Sequence, residues 1–181
     1  MKKIFSIKRP TTSAQDFESL LNPHTEHLYR VAYRFCGNRD DAEDLVQDLY
    51  IKLFSRNTEL AGIELLRPWL AKSLYRLYID QYRRNSRSPI TLVNDDQQHS
   101  LQSIAPAGEG PAARLAQTEQ QAAIQVALAK LSEEHRSLLI LADIEGYILS
   151  ELTQVFDIPE GTVKSRLHRA RAKLRELLAD G

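Results

Sequence analysis

The densest chemistry in the chain lies between Lys164 and Arg175, where Lys164, Arg166, Arg169, Arg171, Lys173 and Arg175 occur without an intervening acid. At 3.6 residues per turn, Lys164, His168, Arg171 and Arg175 share one side of a helix, flanked by Ser165, Arg166 and Arg169. Guanidinium and ammonium groups in this arrangement can hold phosphates, and arginine can also reach guanine edges in a major groove. The opposite side carries Val163, Leu167, Ala170, Leu174 and Leu177 and is built to pack. The alternatives are a solvated face, a membrane-surface helix or a calmodulin-target-like segment. None of these accounts for the helix and turn that precede it.

The elements that must position this helix are legible around it. From Leu131 to Leu178 three apolar-periodic segments are broken at Glu145-Gly146 and at Asp157-Ile158-Pro159. Pro159 suits a first helical position and Glu160 complements the helix dipole. A short helix, a turn and a basic helix form the pattern of a helix-turn-helix, whose second helix enters the major groove.

A second basic stretch, PWLAKSLYRLYIDQYRRNSR, opens at Pro68. Leu70, Leu74 and Leu77 line one side, with Tyr75, Tyr78 and Tyr82 beside them. Lys72, Arg76, Arg83 and Arg87 lie on the far side, with Trp69 and Asp80 projecting alongside. Rings among cations suit single-stranded nucleic acid, where bases stack and phosphates are neutralised. The tyrosines by themselves read better as core; the basic face reads as a nucleic-acid contact.

Formal net charge is zero over 181 residues, so a generally basic protein is excluded. The charge is segregated instead. Lys72 to Arg87 carries five cations against one carboxylate, and Glu160 to Glu176 carries six against two. The remaining chain holds a compensating excess of acids, which suggests two polyanion contacts and a separate surface for another partner. The helix expected over NRDDAEDLVQDLYIKLFSR supplies such a surface. Ala42, Leu45, Val46, Leu49 and Leu53 form its apolar face; Asp41, Asp44, Asp48 and Lys52 form the other. Asp40, Asp41, Glu43 and Asp44 enrich its first turn. Its carboxylates could bind a divalent metal or do acid–base work, but a protein-binding face fits the charge segregation better.

The single cysteine, Cys36, excludes an intramolecular disulfide, fits a reducing cytosol and reads as a small packed residue. His24 and His27 sit three apart without a third ligand at sensible spacing. MKKIFSIKRP lacks the apolar core of ~7–15 residues of a signal peptide. The longest apolar run, Leu138 to Ala142, is far short of the ~18 residues of a membrane span. A soluble, cytoplasmic protein is expected, with no cofactor and no metal. No nucleophile elbow, phosphate-cradling glycine loop or metal triad supports an enzyme.

In chain order, residues 1–14 read as a disordered lead-in, followed by a short helix through Phe17, Leu20 and Leu21. Asn22-Pro23 reads as the start of a separate helix bearing Leu28, Val31, Ala32 and Phe35 and ending at Gly37. Ser55–Arg67 reads as a loop. Residues 89–112 lose all periodicity and read as a flexible linker, after which Arg114–Lys130 resumes as a helix.

The stretches GNRDDAEDLVQDLYIKLF, RPWLAKSLYRLYIDQYRR and IPEGTVKSRLHRARAKLRELL, in this order and separation, resemble an extracytoplasmic-function sigma factor of bacterial RNA polymerase. The resemblance runs from about Asp16 onward. It implies an all-α fold of two small domains: a region-two helical bundle over 15–88 and a helix-turn-helix region-four domain over 113–181. In that family Asp41, Glu43, Asp44, Gln47 and Asp48 would face the polymerase clamp helices. Trp69, Lys72, Arg76, Asp80, Arg83 and Arg84 would meet the melted minus-ten region, with the Ser55–Arg67 loop holding an extruded base. Lys164, Ser165, Arg166, His168, Arg169 and Arg171 would read the minus-thirty-five element. The linker, with Asp95-Asp96, would thread along the active-site and RNA-exit path. Implied partners are core RNA polymerase, promoter DNA and an anti-sigma protein. The chain departs from the family pattern where Arg76 replaces the usual asparagine, Thr153 a small residue, Asp157 the turn glycine and Ile148 the N-cap serine, leaving Ser150 to cap one turn later or the helix end to fray. A helix-turn-helix regulator acting on duplex operators without polymerase is the alternative function.

Overall fold

Phe17, Leu20, Leu21, Leu28, Val31, Ala32 and Phe35 recur at helical spacing and line one face of a single helix. In this computed structural model, which describes residues 14–56, 60, 62–87, 123–124 and 126–179, that helix is α1 (Ala14–Cys36), with Pro23 inside it. The helix start expected at Asn22-Pro23 is therefore absent. An interior proline costs ~3 kcal/mol, whereas burying Leu21 and Leu28 on either side recovers ~1.5–3 kcal/mol each. Core burial outweighs the missing N–H.

Gly37 ends α1 in the left-handed region at φ 80°, its N–H donating to the Tyr33 carbonyl at 2.8 Å. Only glycine adopts that conformation freely. Asn38 then caps α2 (Arg39–Phe54), its side-chain oxygen accepting from the Asp41 N–H at 2.9 Å. α2 buries Ala42, Leu45, Val46, Leu49 and Leu53, the face expected. α3 (Leu66–Arg87) starts two residues ahead of Pro68, which lies in the first turn where a missing N–H is harmless. Leu70, Ala71, Leu74 and Tyr78 are buried, and α1, α2 and α3 pack pairwise.

The C-terminal half begins with α4 (Glu133–Leu139), which runs into a π-helical turn at Ile140–Ile144. The wider turn is closed by the Glu145 N–H donating to the Ile140 carbonyl at 2.9 Å. α5 (Leu149–Phe156) and α6 (Glu160–Ala179) complete the helix-turn-helix. Ser150 does not cap α5. The Glu151 carboxylate accepts the Ile148 N–H at 2.9 Å, so the first-turn acid supplies its half of a capping box while Ile148 has no hydroxyl to supply the other. Asp157 takes the left-handed turn at φ 59°. Leu152, Val155, Val163, Leu167 and Ala170 close the core between the helices.

Every regular element among the described residues is helical, and none is long and apolar enough to cross a membrane. The two halves pack on one another: α5 lies against α3, and the π-helical turn lies against α1. Their buried side chains form one continuous apolar cluster. The lead-in over 1–13, the linker over 89–112 with Asp95-Asp96, and most of the helix expected from Arg114 fall outside the described residues. Within that stretch Val126 is exposed, whereas Ala127 and Leu128 are buried.

Candidate nucleic-acid interface

Val163, Leu167 and Ala170 turn one side of α6 into the core, and this leaves Lys164, Ser165, His168, Arg169 and Arg171 exposed. Lys164, Leu167, His168, Arg171, Leu174 and Arg175 line a shallow groove along the helix. The six expected upstream-element residues thus share one element, but they are not equally free. Arg166 pairs with Glu134 of α4 at 3.0 Å. Arg171 makes a bidentate pair with Asp143, at 2.5 and 3.0 Å. Lys164 pairs one turn back with Glu160 at 2.6 Å. Arg169 donates only within its own helix, to the Ser165 carbonyl at 3.3 Å, and Ser165 donates to the Thr162 carbonyl. Arg169 and His168 are the side chains of this face most available to a groove.

On α3, Arg76, Asp80, Arg83 and Arg84 are exposed, and Arg84 donates to the Asp80 carbonyl at 3.2 Å. Trp69 was expected to project with them. It is half-buried and packs against the hydrophobic cluster, because one turn of α3 there is enclosed on most sides. Tyr78 is buried and stacks on Phe35 at 5.0 Å between centroids, while Tyr75 meets Phe156 edge-on at 4.8 Å. Tyr82 is exposed. The Arg87 side chain, and residues 57–59 and 61 of the expected base-holding loop, lie outside the described residues. Arg67 belongs to α3 rather than to a loop, and it faces the other domain.

α2 presents Asp41, Asp44, Gln47 and Asp48 to solvent, with Glu43 half-buried and paired to Arg39 at 2.7 Å. The Gln81 amide donates to Asp48 at 3.2 Å and ties this face to α3. Ile51, 70% exposed, and Phe54 continue the face. Helical spacing puts neither on the apolar face of Ala42, Leu45, Val46, Leu49 and Leu53, so that face does not account for them. An isoleucine on the polar side of a helical wheel was the signal that could have found them. Cys36 is half-buried, and burial pushes its thiol up to about 12, so it is an unreactive packing residue.

A set of polar groups between the two domains escaped the sequence reading altogether. The Glu145 side chain is 2% exposed and lies 2.7 Å from Arg34 Nε, 3.2 Å from Arg30 Nε and 3.3 Å from His27 Nδ1. Arg67 donates to the Glu145 carbonyl at 2.8 Å, pairs with Glu151 at 3.3 Å, and sits 4.1 Å over the Tyr147 ring. Arg136 donates to the Phe35 carbonyl at 3.0 Å and to the Tyr78 hydroxyl. Burial pushes the Glu145 carboxyl upward, but hydrogen bonds from His27 and Arg34 and the charge of Arg30 outweigh it and hold the group at about 2. A depressed carboxyl contributes stability above its ordinary value of 4.5 that is lost as pH falls through its folded value. Wild type should therefore be more stable than Glu145→Gln at neutral pH, and the gap should close between pH 4.5 and about 2. Denaturant titrations across that window test it; a gap independent of pH contradicts the assignment.

Two family models match the chain, one described as Sigma-70 region 2 over residues 20–88 and one as Sigma-70, region 4 over residues 127–176. The chain is 31% identical over 176 residues to the ECF RNA polymerase sigma factor SigE of Mycolicibacterium smegmatis, covering 97% of this chain and 66% of that protein. It is 31% identical over 165 residues to the ECF RNA polymerase sigma factor SigL of Mycobacterium tuberculosis, covering 90% and 88%. Among solved structures, the sigma factor RpoE of Bartonella quintana, crystallised with the anti-sigma factor NepR, superposes with a TM-score of 0.65 at 27% identity. That match covers 92% of this chain and 98% of RpoE. With α6 as the outer helix of a helix-turn-helix and α1–α3 as the preceding bundle, the chain belongs to the extracytoplasmic-function family of RNA polymerase sigma factors.

Proposed function

We propose that this chain binds core RNA polymerase in the cytoplasm, directs it to promoters and supports DNA melting, under the control of an anti-sigma protein. It contributes recognition and no catalytic chemistry of its own. The observation that carries the reading is the presence in one chain of two basic helices and one acidic-apolar helix face. α6 would read the upstream element through Lys164, Ser165, Arg166, His168, Arg169 and Arg171. α3 would hold the melted minus-ten strand through Lys72, Arg76, Arg83 and Arg84, with Asp80 and the more enclosed Trp69 beside them. Asp41, Glu43, Asp44, Gln47 and Asp48 of α2, extended by Ile51, would dock on the polymerase. The promoter-binding units would span residues 15–88 and 113–181, joined by 89–112.

In vitro transcription with purified core polymerase on a pooled promoter library tests this directly. Transcripts starting downstream of a shared two-element sequence are the expected result. Duplex binding without transcription would replace the reading by a polymerase-independent regulator, for which the α2 face has no role. Asp44→Lys should weaken core-polymerase binding about tenfold or more, since it places a like charge against a face that recognises acid. Asp44 is exposed at the helix surface, so the fold should be untouched. Unchanged affinity would remove α2 from the interface.

A further inference from the structure

The two arginines of α6 that are paired with carboxylates of other elements occupy particular places on the helix. At 3.6 residues per turn, Ser165, His168 and Arg169 lie at the crest opposite the buried Val163, while Arg166 and Arg171 lie on the two flanks. Each flank is tied to a different segment beneath. Arg166 Nη1 is 3.0 Å from the carboxylate of Glu134, in the first turn of α4. Arg171 is gripped through Nε and Nη2 by both oxygens of Asp143, in the π-helical turn. The Glu134 side chain is 59% exposed and the Asp143 side chain 38%. Water reaches both, so neither carboxylate needs an arginine to offset burial of its charge. When a recognition helix lies in the major groove, its crest meets base edges and its flanks face the phosphate ridges. The flank arginines are therefore the ones that would hold any sequence.

We propose that Glu134 and Asp143 set the selectivity of α6 by withholding its flank arginines from indiscriminate phosphate contact. This rests on the reading of α6 as the duplex-binding helix. A phosphate must displace the carboxylate before it can take either guanidinium, whatever the sequence. Binding to non-promoter DNA is almost wholly cation–phosphate attraction, whereas a matched element also draws on base contacts at the crest. In a non-promoter complex the helix can shift until a freed arginine meets a phosphate. In the matched complex base contacts fix the helix, and a freed arginine gains only what that one register offers. The two tethers thus penalise wrong sequences more than the right one. Selectivity is set partly from α4 and the π-helical turn, which do not touch the bases.

The test has two arms: the anisotropy of a fluorescent random-sequence duplex with the full-length chain, and transcription by its complex with core polymerase from matched and scrambled upstream elements. Glu134→Gln and Asp143→Asn should each tighten binding to the random duplex roughly two- to fivefold, the range set by exposed ion pairs. The plot of log affinity against log salt should steepen by about 0.9 for each freed arginine. Transcription from the scrambled element should rise relative to the matched one by a similar factor. Adding Arg166→Ala to the first variant, or Arg171→Ala to the second, should abolish the gain. Equal gains on both elements, or a gain that survives loss of the arginine, reduce the effect to net charge and overturn the proposal. Unchanged duplex binding overturns it as well. Weaker binding to both elements with a lower melting temperature assigns the carboxylates to folding, which also overturns it. Tighter duplex binding by the variants, with no transcription by the wild-type complex, overturns the promoter reading alone, because the duplex arm does not pass through polymerase.

Discussion

Arg169→Ala should lower transcription from a promoter carrying the correct upstream element by roughly five- to 150-fold, the equivalent of one base contact worth ~1–3 kcal/mol. The expectation comes from the unequal tethering of the cations on α6. Arg166 and Arg171 are engaged by Glu134 and Asp143, so each must exchange a protein carboxylate for DNA and gains only the difference. Among the described residues Arg169 has no acidic partner, and its hydrogen bond to the Ser165 carbonyl leaves both terminal nitrogens of the guanidinium free to form a fork. The readout is reconstituted transcription on matched and scrambled upstream elements. Loss confined to the matched template identifies base reading. Equal loss on both assigns Arg169 to the phosphate backbone, where contacts position but do not specify. Arg171→Ala is expected to behave differently and to loosen the packing of α6 on the π-helical turn, because it breaks the Asp143 tether.

The largest loss of stability is expected at Phe35. Its ring is almost fully buried, stacks on Tyr78 and meets Tyr75 at 6.2 Å, while its carbonyl accepts from Arg136 across the domain junction. Phe35→Ala should cost about 3–5 kcal/mol, a large part of the ~5–15 kcal/mol that stabilises a typical domain. Urea denaturation followed by circular dichroism measures it. A cost below about 1 kcal/mol would mean that the site collapses without a cavity. The shape of the curve is informative as well. If α1 and α3 share their core with α4, the variant should separate one transition into two, as the N-terminal bundle loses its support first.

Local pattern carried much of the fold. The buried faces of α2 and α6, the helix-turn-helix breaks at Glu145-Gly146 and Asp157, and the basic faces of α3 and α6 all follow from residue spacing, because helical periodicity places side chains on faces whatever they pack against. The boundaries that failed were decided by neighbours. Pro23 reads as a helix start, yet Leu21 and Leu28 are buried on the same core and hold α1 continuous through it. Ser150 reads as a cap, but Glu151 reaches the Ile148 N–H.

The residue types and their order by themselves determined that this is an all-helical, two-part chain with two cationic helices and an acidic one, and the three matching stretches pointed to its family. Only the tertiary structure decided what the residues between those helices do. Glu145 occurs at a break in the pattern and Arg67 at the end of an expected loop, and neither has a periodicity that assigns it a partner. Their roles depend on contacts across 78 to 118 residues of sequence, from Arg67 to the Glu145 carbonyl and from Glu145 back to His27. The same holds for Asp157, whose charge is unremarkable in a turn until folding sets it against Lys72 and Arg76. Periodicity encodes which face of a helix is buried; which charged groups meet across two packed domains is set by the packing itself.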